Sequence, residues 1–503
     1  MSWYEISRYA LCLLAACAGS ALGATLPYSV FPSDGSSVPA DAPIRISFPS
    51  PSRAGSAGSV RLKTAGGTLA LTLDMARHAS GTLTARVGAD NLAIRPVSVE
   101  GTEAYLYVPA GTLAPNAAYT VEVDAGAFAR SDGQAYPAAA WGFTTTAPPA
   151  QGKPAYTVAA DGSGEFCTVQ GALDFLAKGT APATVTIKPG TYREVLRSAG
   201  RNGITLAGTG RDACVIRAVN NDKQNAGTSA RAMARLFGDD WTLRDLTFIN
   251  DTPQGGSQAE ALFFRGQRCA IRNCLFRSFQ DTMLLEGRVY LADCRIEGAV
   301  DYIWGQGIAY FRNCALYSNA DGYIVESRNA KGKRGYVFLG CTLTAASGVK
   351  SSFLARDQQG DYPDGDVRYI DCTMGAHVPR AGWQVATVAG ATPNFAEYGS
   401  KDPQGKALDL SGRAAFSRVM TAAEADGFRK AVNVVGGTDG WDPEKGTEVA
   451  TRSGEMTRKR HSRGIAGVPV WSREGHPDRA FDAGGRRRDP AEARLDRPNG
   501  VDF

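Results

Sequence analysis

Asn273-Cys274-Leu275-Phe276, Asp293-Cys294-Arg295-Ile296 and Asn313-Cys314-Ala315-Leu316 repeat one short pattern at intervals of 20 residues. The signature extends upstream to Asp245-Leu246-Thr247-Phe248, and downstream to Gly340-Cys341-Thr342-Leu343 and Asp371-Cys372-Thr373-Met374. From first to last the spacings are 28, 20, 20, 27 and 31 residues. A constant strand signature at irregular periods in the twenties is the mark of a parallel β-helix, here expected to be right-handed, with loops of varying length between its coils. Leu246 and the five cysteines that follow it then form one inward-facing stack.

The stack bears on the cysteines. Ten cysteines in one chain invite a disulfide framework. Five in a single column read instead as buried thiols, because free cysteine packs as a small hydrophobe. Coils about 4.8 Å apart would also permit stacked disulfides by distance, and the packing argument favours thiols. No C-x-x-C pair supplies a zinc site.

The same register aligns two carboxylates. Asp281 lies seven residues after Cys274, and Asp301 seven after Cys294, so the two stack one above the other. Asp321 repeats the offset after Cys314 and is a candidate third member. Stacked acids repel, which raises one pKa while the other stays low, and such a split lets one act as acid while its neighbour is base or nucleophile. The alternative is a surface column of aspartates, solvated or bound to calcium.

Around this centre the chain divides by texture. A single Arg8, the apolar run 9–16 and small residues after it make residues 1–23 an export signal. Two readings stay open: cleavage after Ala21-Leu22-Gly23, or a lipobox Leu14-Ala15-Ala16-Cys17 with lipid on Cys17. Residues 24–147 hold short alternating strands such as Ile44-Arg45-Ile46-Ser47-Phe48 and Tyr119-Thr120-Val121-Glu122-Val123, and resemble an Ig-like β-sandwich used as a spacer or binding module. Residues 148–155 are a linker and 156–445 the β-helix, with a short helix expected over 169–177 and a capping box at Thr421-Ala422-Ala423-Glu424. Residues 446–503 read as a disordered basic tail.

Composition removes several classes of function. No apolar stretch approaches the ~20 residues of a membrane-spanning helix. Of the net charge of +5, residues 451–503 supply +4, from 12 Lys and Arg against 8 Asp and Glu. The remainder is nearly neutral, which disfavours nucleic acid as a partner. None of the four histidines, His78, His377, His461 and His476, falls within one of the motifs, which argues against a histidine triad or a histidine-ligated metal.

Further motifs carry a resemblance. Gly190-Thr191-Tyr192-Arg193-Glu194, Gln258-Ala259-Glu260-Ala261-Leu262, Gln280-Asp281-Thr282-Met283 and Asp301-Tyr302-Ile303-Trp304-Gly305 resemble, in order, the signatures of the pectin methylesterase family. Leu354-Ala355-Arg356, Phe395-Ala396-Glu397-Tyr398 and Gly436-Gly437-Thr438-Asp439-Gly440-Trp441 resemble its later ones. The resemblance implies an aspartyl esterase that removes methyl esters from pectin and releases methanol. Asp301 would be the nucleophile, kept charged and oriented by Arg356. Asp281 would be the acid and then the base, and Gln258 and Gln280 the donors to the oxyanion. Tyr302 and Trp304 flank the nucleophile as candidates for binding sugar. The resemblance implies no metal or cofactor, a monomer, an exported location, and contact with a membrane only through a lipid anchor.

Three departures from the family pattern stand out. Asp357 and Gln358 follow Arg356 where the family carries a cleft tryptophan. Leu284 and Leu285 stand where it carries a tyrosine, and Glu260 falls in a motif that is otherwise apolar. Glu260 and Glu326 would repel an anionic polysaccharide. The pattern resembles a divergent bacterial branch that includes lipoproteins. An esterase or thioesterase on another substrate, and a non-catalytic carbohydrate-binding β-helix, remain alternatives.

Overall fold

Six residues that precede the column positions, Asp245, Asn273, Asp293, Asn313, Gly340 and Asp371, all adopt left-handed backbone with φ between 47° and 63°. Asparagine, aspartate and glycine tolerate that region best, which is why the pattern draws on them alone. Each makes a corner between two parallel sheets. Across these corners the backbone bonds run unbroken: Arg295 N–H to Cys274 O, Ala315 to Cys294, Thr342 to Cys314, Thr373 to Cys341 and Lys401 to Cys372, at 2.8 to 3.0 Å.

The computed structural model describes residues 26–198, 200–357, 362, 364–384 and 393–445. The export-signal and lipobox readings and the tail 446–503 lie outside the described residues. The chain forms two units, 1–199 and 200–503.

In the second unit the coils stack into three columns of strands, and the pairings between successive coils are parallel. One column runs through Thr247–Asn250, Leu275–Arg277, Arg295–Gly298, Ala315–Ser318 and Thr342–Ala345. The other two are joined where the long strands Leu262–Arg272 and Met283–Ala292 bend, at Gly266 and Gly287. Gly287 has φ 115°, and a Cβ there would lie 1.8 Å from Gly266 O, so the bend admits no side chain. The result is the expected parallel β-helix. Its interior stacks like on like, with Phe311 over Phe338 at 4.4 Å and Phe338 over Tyr369 at 4.5 Å.

The first unit begins with antiparallel strands. Ser29–Phe31, Ile44–Ser47, Glu103–Leu106 and Val97–Glu100 form one sheet; Ser37–Val38, Ala139–Thr145, Ala118–Val123, Ser59–Thr64 and Leu69–Asp74 form another, with one parallel pair at its end. Trp141, Ile46, Val121 and Leu106 share one buried apolar cluster. The unit continues into the parallel strands Ala155–Val158 and Ala183–Ile187 and the helix Val169–Leu176. That helix is capped three ways. Thr168 Oγ1 accepts from Gly171 N–H, the Glu194 carboxylate from Val169 and Gln170 N–H, and Asp41 from Cys167 and Thr168 N–H. Burial pushes the Glu194 carboxyl up to about 7. Near the C-terminus of the described chain the capping box forms as expected, with Thr421 and Glu424 bonded reciprocally.

Leu246, Cys274, Cys294, Cys314, Cys341 and Cys372 are all buried, and the eight described cysteines are free thiols. The column sulfurs donate to backbone carbonyls, as Cys274 does to Arg272 O at 3.3 Å and Cys372 to Ile370 O at 3.4 Å. Burial pushes the Cys274, Cys294, Cys314 and Cys341 thiols far above their ordinary range, which removes the reactive thiolate. Alkylation of the native protein followed by mass spectrometry is therefore expected to leave these four thiols unlabelled, and alkylation after unfolding to label them all. Native labelling of any column cysteine would contradict the buried stack.

Candidate active site

The second corner of the coil repeats the device of the first. Asp281 and Asp301 sit in left-handed backbone, with φ 63° and 49°. Asp281 N–H donates to Val300 O at 3.0 Å, and Gln280 bridges Val300 in parallel, so Asp301 lies one coil on from Asp281 in the same column. Both are buried, at 8% and 3% exposure. The expected third member is not there. Asp321 is exposed, and its Oδ1 accepts from the N–H groups of Lys350 and Ser351, so it holds a loop. The pairing offset explains this: Met283 pairs Ile303 at 20 residues, but Ile303 pairs Val325 at 22, so the added residues move Asp321 off the corner.

The two aspartates have different arginines. Arg356, at the end of Ser352–Arg356, grips Asp301 in a fork, Nε to Oδ1 at 2.7 Å and Nη2 to Oδ2 at 2.5 Å. The fork fixes the carboxylate plane and compensates its charge. The Arg356 guanidinium also lies 4.8 Å from the Tyr323 ring centroid. Asp281 receives, among the described residues, a single side-chain bond, Arg231 Nη2 to Oδ2 at 2.8 Å. Arg231 is mainly occupied with Glu260, donating from Nε to both carboxylate oxygens at 3.0 and 3.1 Å and from Nη2 to Oε1 at 2.8 Å. Burial, with the Glu260 charge next, pushes the Asp281 carboxyl well above its ordinary range, against the pull of Arg231.

Gln258 and Gln280 come to the same place from adjacent coils, since Ala259 N–H donates to Gln280 O at 3.2 Å. Both are partly exposed. Gln258 Oε1 accepts from Ser257 Oγ at 2.9 Å, which leaves the NH2 end to donate.

The two aromatics separate. Tyr302 is fully buried, its hydroxyl 3.4 Å from Ser318 Oγ, and it lines no surface that a sugar could reach. This corrects the expectation. Trp304 pairs in register with Leu284 on one side and Glu326 on the other, and Glu326 pairs with Arg356, so Trp304 shares the column of the arginine fork. Yet it is only 4% exposed, and the Arg328 guanidinium lies over its ring at 4.3 Å. Arg328 also donates to Glu326 Oε2 at 3.1 Å. Burial pushes the Glu326 carboxyl up, and the Asp301 charge adds to it.

Glu260 also departs from expectation. It is 0% exposed and chelated by Arg231, so it presents no charge to an arriving polyanion. The sequence reading missed Arg231. It ends the short helix Thr228–Arg231 in a connection between coils, where no register marks it. The signal that could have found it was Glu260 itself, since a carboxylate in an apolar strand motif requires a buried cation.

With this geometry in view, likeness to known proteins is informative. The model of the pectinesterase family matches residues 155–436. Pectinesterase 31 of Arabidopsis thaliana is 32% identical over 241 residues, 45% of this chain and 75% of that protein. Pectinesterase A of Emericella nidulans is 29% identical over 286 residues, 54% of this chain and 84% of that protein. The pectin methylesterase of Aspergillus niger superposes with a TM-score of 0.51 at 27% identity, covering 58% of this chain and 98% of its own. The carrot pectin methylesterase, at 23% identity and a TM-score of 0.53 over 58% of this chain and 96% of its own, shares the fold. The matched span exceeds half of the sequence and contains both aspartates, both glutamines and both arginines: the chain belongs to the pectinesterase family.

Proposed function

We propose that the protein hydrolyses the methyl esters of pectin and releases methanol, with Asp301 as nucleophile and Asp281 as acid and then base. The observation that carries the reading is the unequal treatment of two stacked carboxylates. Asp301 is gripped by the Arg356 fork, whereas burial and Glu260 favour the protonated form of Asp281.

In this mechanism an Asp301 oxygen attacks the ester carbonyl carbon. The carbonyl oxygen takes up negative charge and receives hydrogen bonds from the Gln258 and Gln280 amides; one such donor contributes ~3 kcal/mol in comparable sites. The C–O bond to the methoxyl group breaks as Asp281 passes its proton to the leaving oxygen. A mixed anhydride on Asp301 remains. Asp281, now a carboxylate, draws a proton from water as the water oxygen attacks the anhydride, and Asp301 leaves as a carboxylate.

Trp304 and Arg328 lie beside this centre. With the indole covered, the guanidinium seated on it is the better candidate to meet a neighbouring uronate carboxylate. We read residues 24–147 as an Ig-like spacer or binding module. We also take the protein to be exported and monomeric, either cleaved after Gly23 or anchored by a lipid on Cys17. Among the described residues no helix is long and apolar enough to cross one.

Methanol release from highly methylated pectin tests the reading directly. Asp301→Asn is expected to lower kcat at least ~1000-fold in protein that circular dichroism shows to be folded. A folded wild type that yields no methanol would refute it, and hydrolysis of other acyl esters or thioesters would then become the reading to follow. Gln280→Ala and Gln258→Ala are each expected to lower kcat ~100-fold or more with little change in KM. A change confined to KM would mean that the amides bind sugar and take no part in stabilising the oxyanion.

A further inference from the structure

Among the described residues, the cluster behind Asp281 contains one cation for two buried carboxylates. Asp281 and Glu260 are both buried, and Arg231 donates to each from the same nitrogen, Nη2, at 2.8 Å. Arg231 Nη1 reaches Asp222 Oδ1 at 3.4 Å, and Asp222 is partly exposed. The other charged groups facing Asp281 are Asp301 and Glu326, both acidic, while Arg356 is committed to Asp301. A dry site does not hold two anions against one cation at modest cost, so the pair keeps a proton.

We infer that Glu260 is a positioning residue which, by occupying Arg231, keeps on Asp281 the proton that the leaving methanol receives. Both Glu260 oxygens are chelated by Arg231 and three donor contacts go to it, so the ionised form belongs to Glu260. Among the described residues Asp281 has one such contact, on Oδ2, and none on Oδ1. With an apolar residue at 260, Arg231 would pair with Asp281 alone and hold it ionised, which is the wrong state for a general acid. A glutamate there and a buried arginine behind it therefore form a matched pair.

The pair serves both halves of the reaction. In the first, the O–H bond of Asp281 breaks and its proton goes to the methoxyl oxygen as the ester C–O bond opens. The new Asp281 carboxylate then stands beside the Glu260 carboxylate with one shared cation, which makes it a stronger base. It takes a proton from the attacking water, and the electron pair of the anhydride C–O bond returns to Asp301. The cluster ends as it began.

The inference rests on the esterase reading, and its test separates the two. In the full-length protein, the kcat/KM profile for methanol release from methylated pectin should lose activity on the alkaline side as Asp281 gives up its proton. Glu260→Gln is expected to move that alkaline limb to lower pH by about one unit or more, with the activity on its acidic side retained within a few-fold and KM little changed. A limb that stays in place in folded Glu260→Gln would overturn the inference and leave the esterase standing. A second readout needs neither substrate nor that variant. The infrared carboxylic-acid C=O band of the wild type at neutral pH is expected to contain a component that is lost in Asp281→Asn. Presence of the component supports the inference even if pectin proves not to be the substrate, and its absence overturns it.

Discussion

The protein depends on its left-handed corners. A coil closes only if the chain reverses sharply twice or more per turn, and the parallel ladder continues only if each reversal falls at the same place as in the coil before. Left-handed backbone costs most residues on the order of 1–2 kcal/mol. The corners accordingly carry Asn, Asp or Gly, from Asp245 to Asp371. Once the corner is fixed the next residue must point inward, and Leu246 and the cysteines fill that column. The catalytic column obeys the same rule. Asp281 and Asp301 are residues that the backbone tolerates at a corner before they are residues that chemistry can use, and a local constraint on φ thereby delivers two carboxylates in register.

This explains which parts of the molecule were legible. The corner residue and its inward neighbour form a two-residue signature strong enough to reveal the β-helix. Where two coils have equal length, the offset from that signature locates the second corner as well, hence Asp281 and Asp301. Legibility ends where coil length changes. Asp321 has the right offset from Cys314, but the coil it enters is longer, and the carboxylate caps backbone at Lys350 and Ser351. Tyr302 fails for a related reason. It has the parity of Trp304, and simple alternation would put both on one face, but it immediately follows the left-handed Asp301, where alternation is interrupted. Strand parity is a safe guide only inside a strand. Arg231 lay beyond reach because connections between coils carry no repeat, and the residues they return to the core are specified by the tertiary partner alone.

Glu260 shows how a sequence anomaly can be misread by its sign. A carboxylate near a site for an anionic polymer suggests repulsion, but repulsion requires that the charge be felt across solvent. Glu260 is completely enclosed, and its field acts over a few ångströms on Arg231 and Asp281. Burial changed the question from what the charge does to a ligand to what it does to its neighbours.

The two arginines then define the site more sharply than the two aspartates do. A forked pairing spends both donor directions of Arg356 on one carboxylate, so Asp301 is fixed in plane and its charge is met by two bonds. A shared pairing divides Arg231 between Glu260 and Asp281, so the second carboxylate is held in place by one oxygen and left under-compensated. Orientation and charge are thus set independently at two positions one coil apart. A nucleophile needs both a fixed lone pair and a compensated charge. A group that must give up a proton and later recover it needs the fixed position with incomplete compensation, because full pairing would stabilise its anion too well for the proton to return. Identical side chains at equivalent corners of a repeating fold can acquire opposite roles only if something outside the repeat distinguishes them, and here that is Arg231, supplied by an irregular connection with Glu260 to divide its attention.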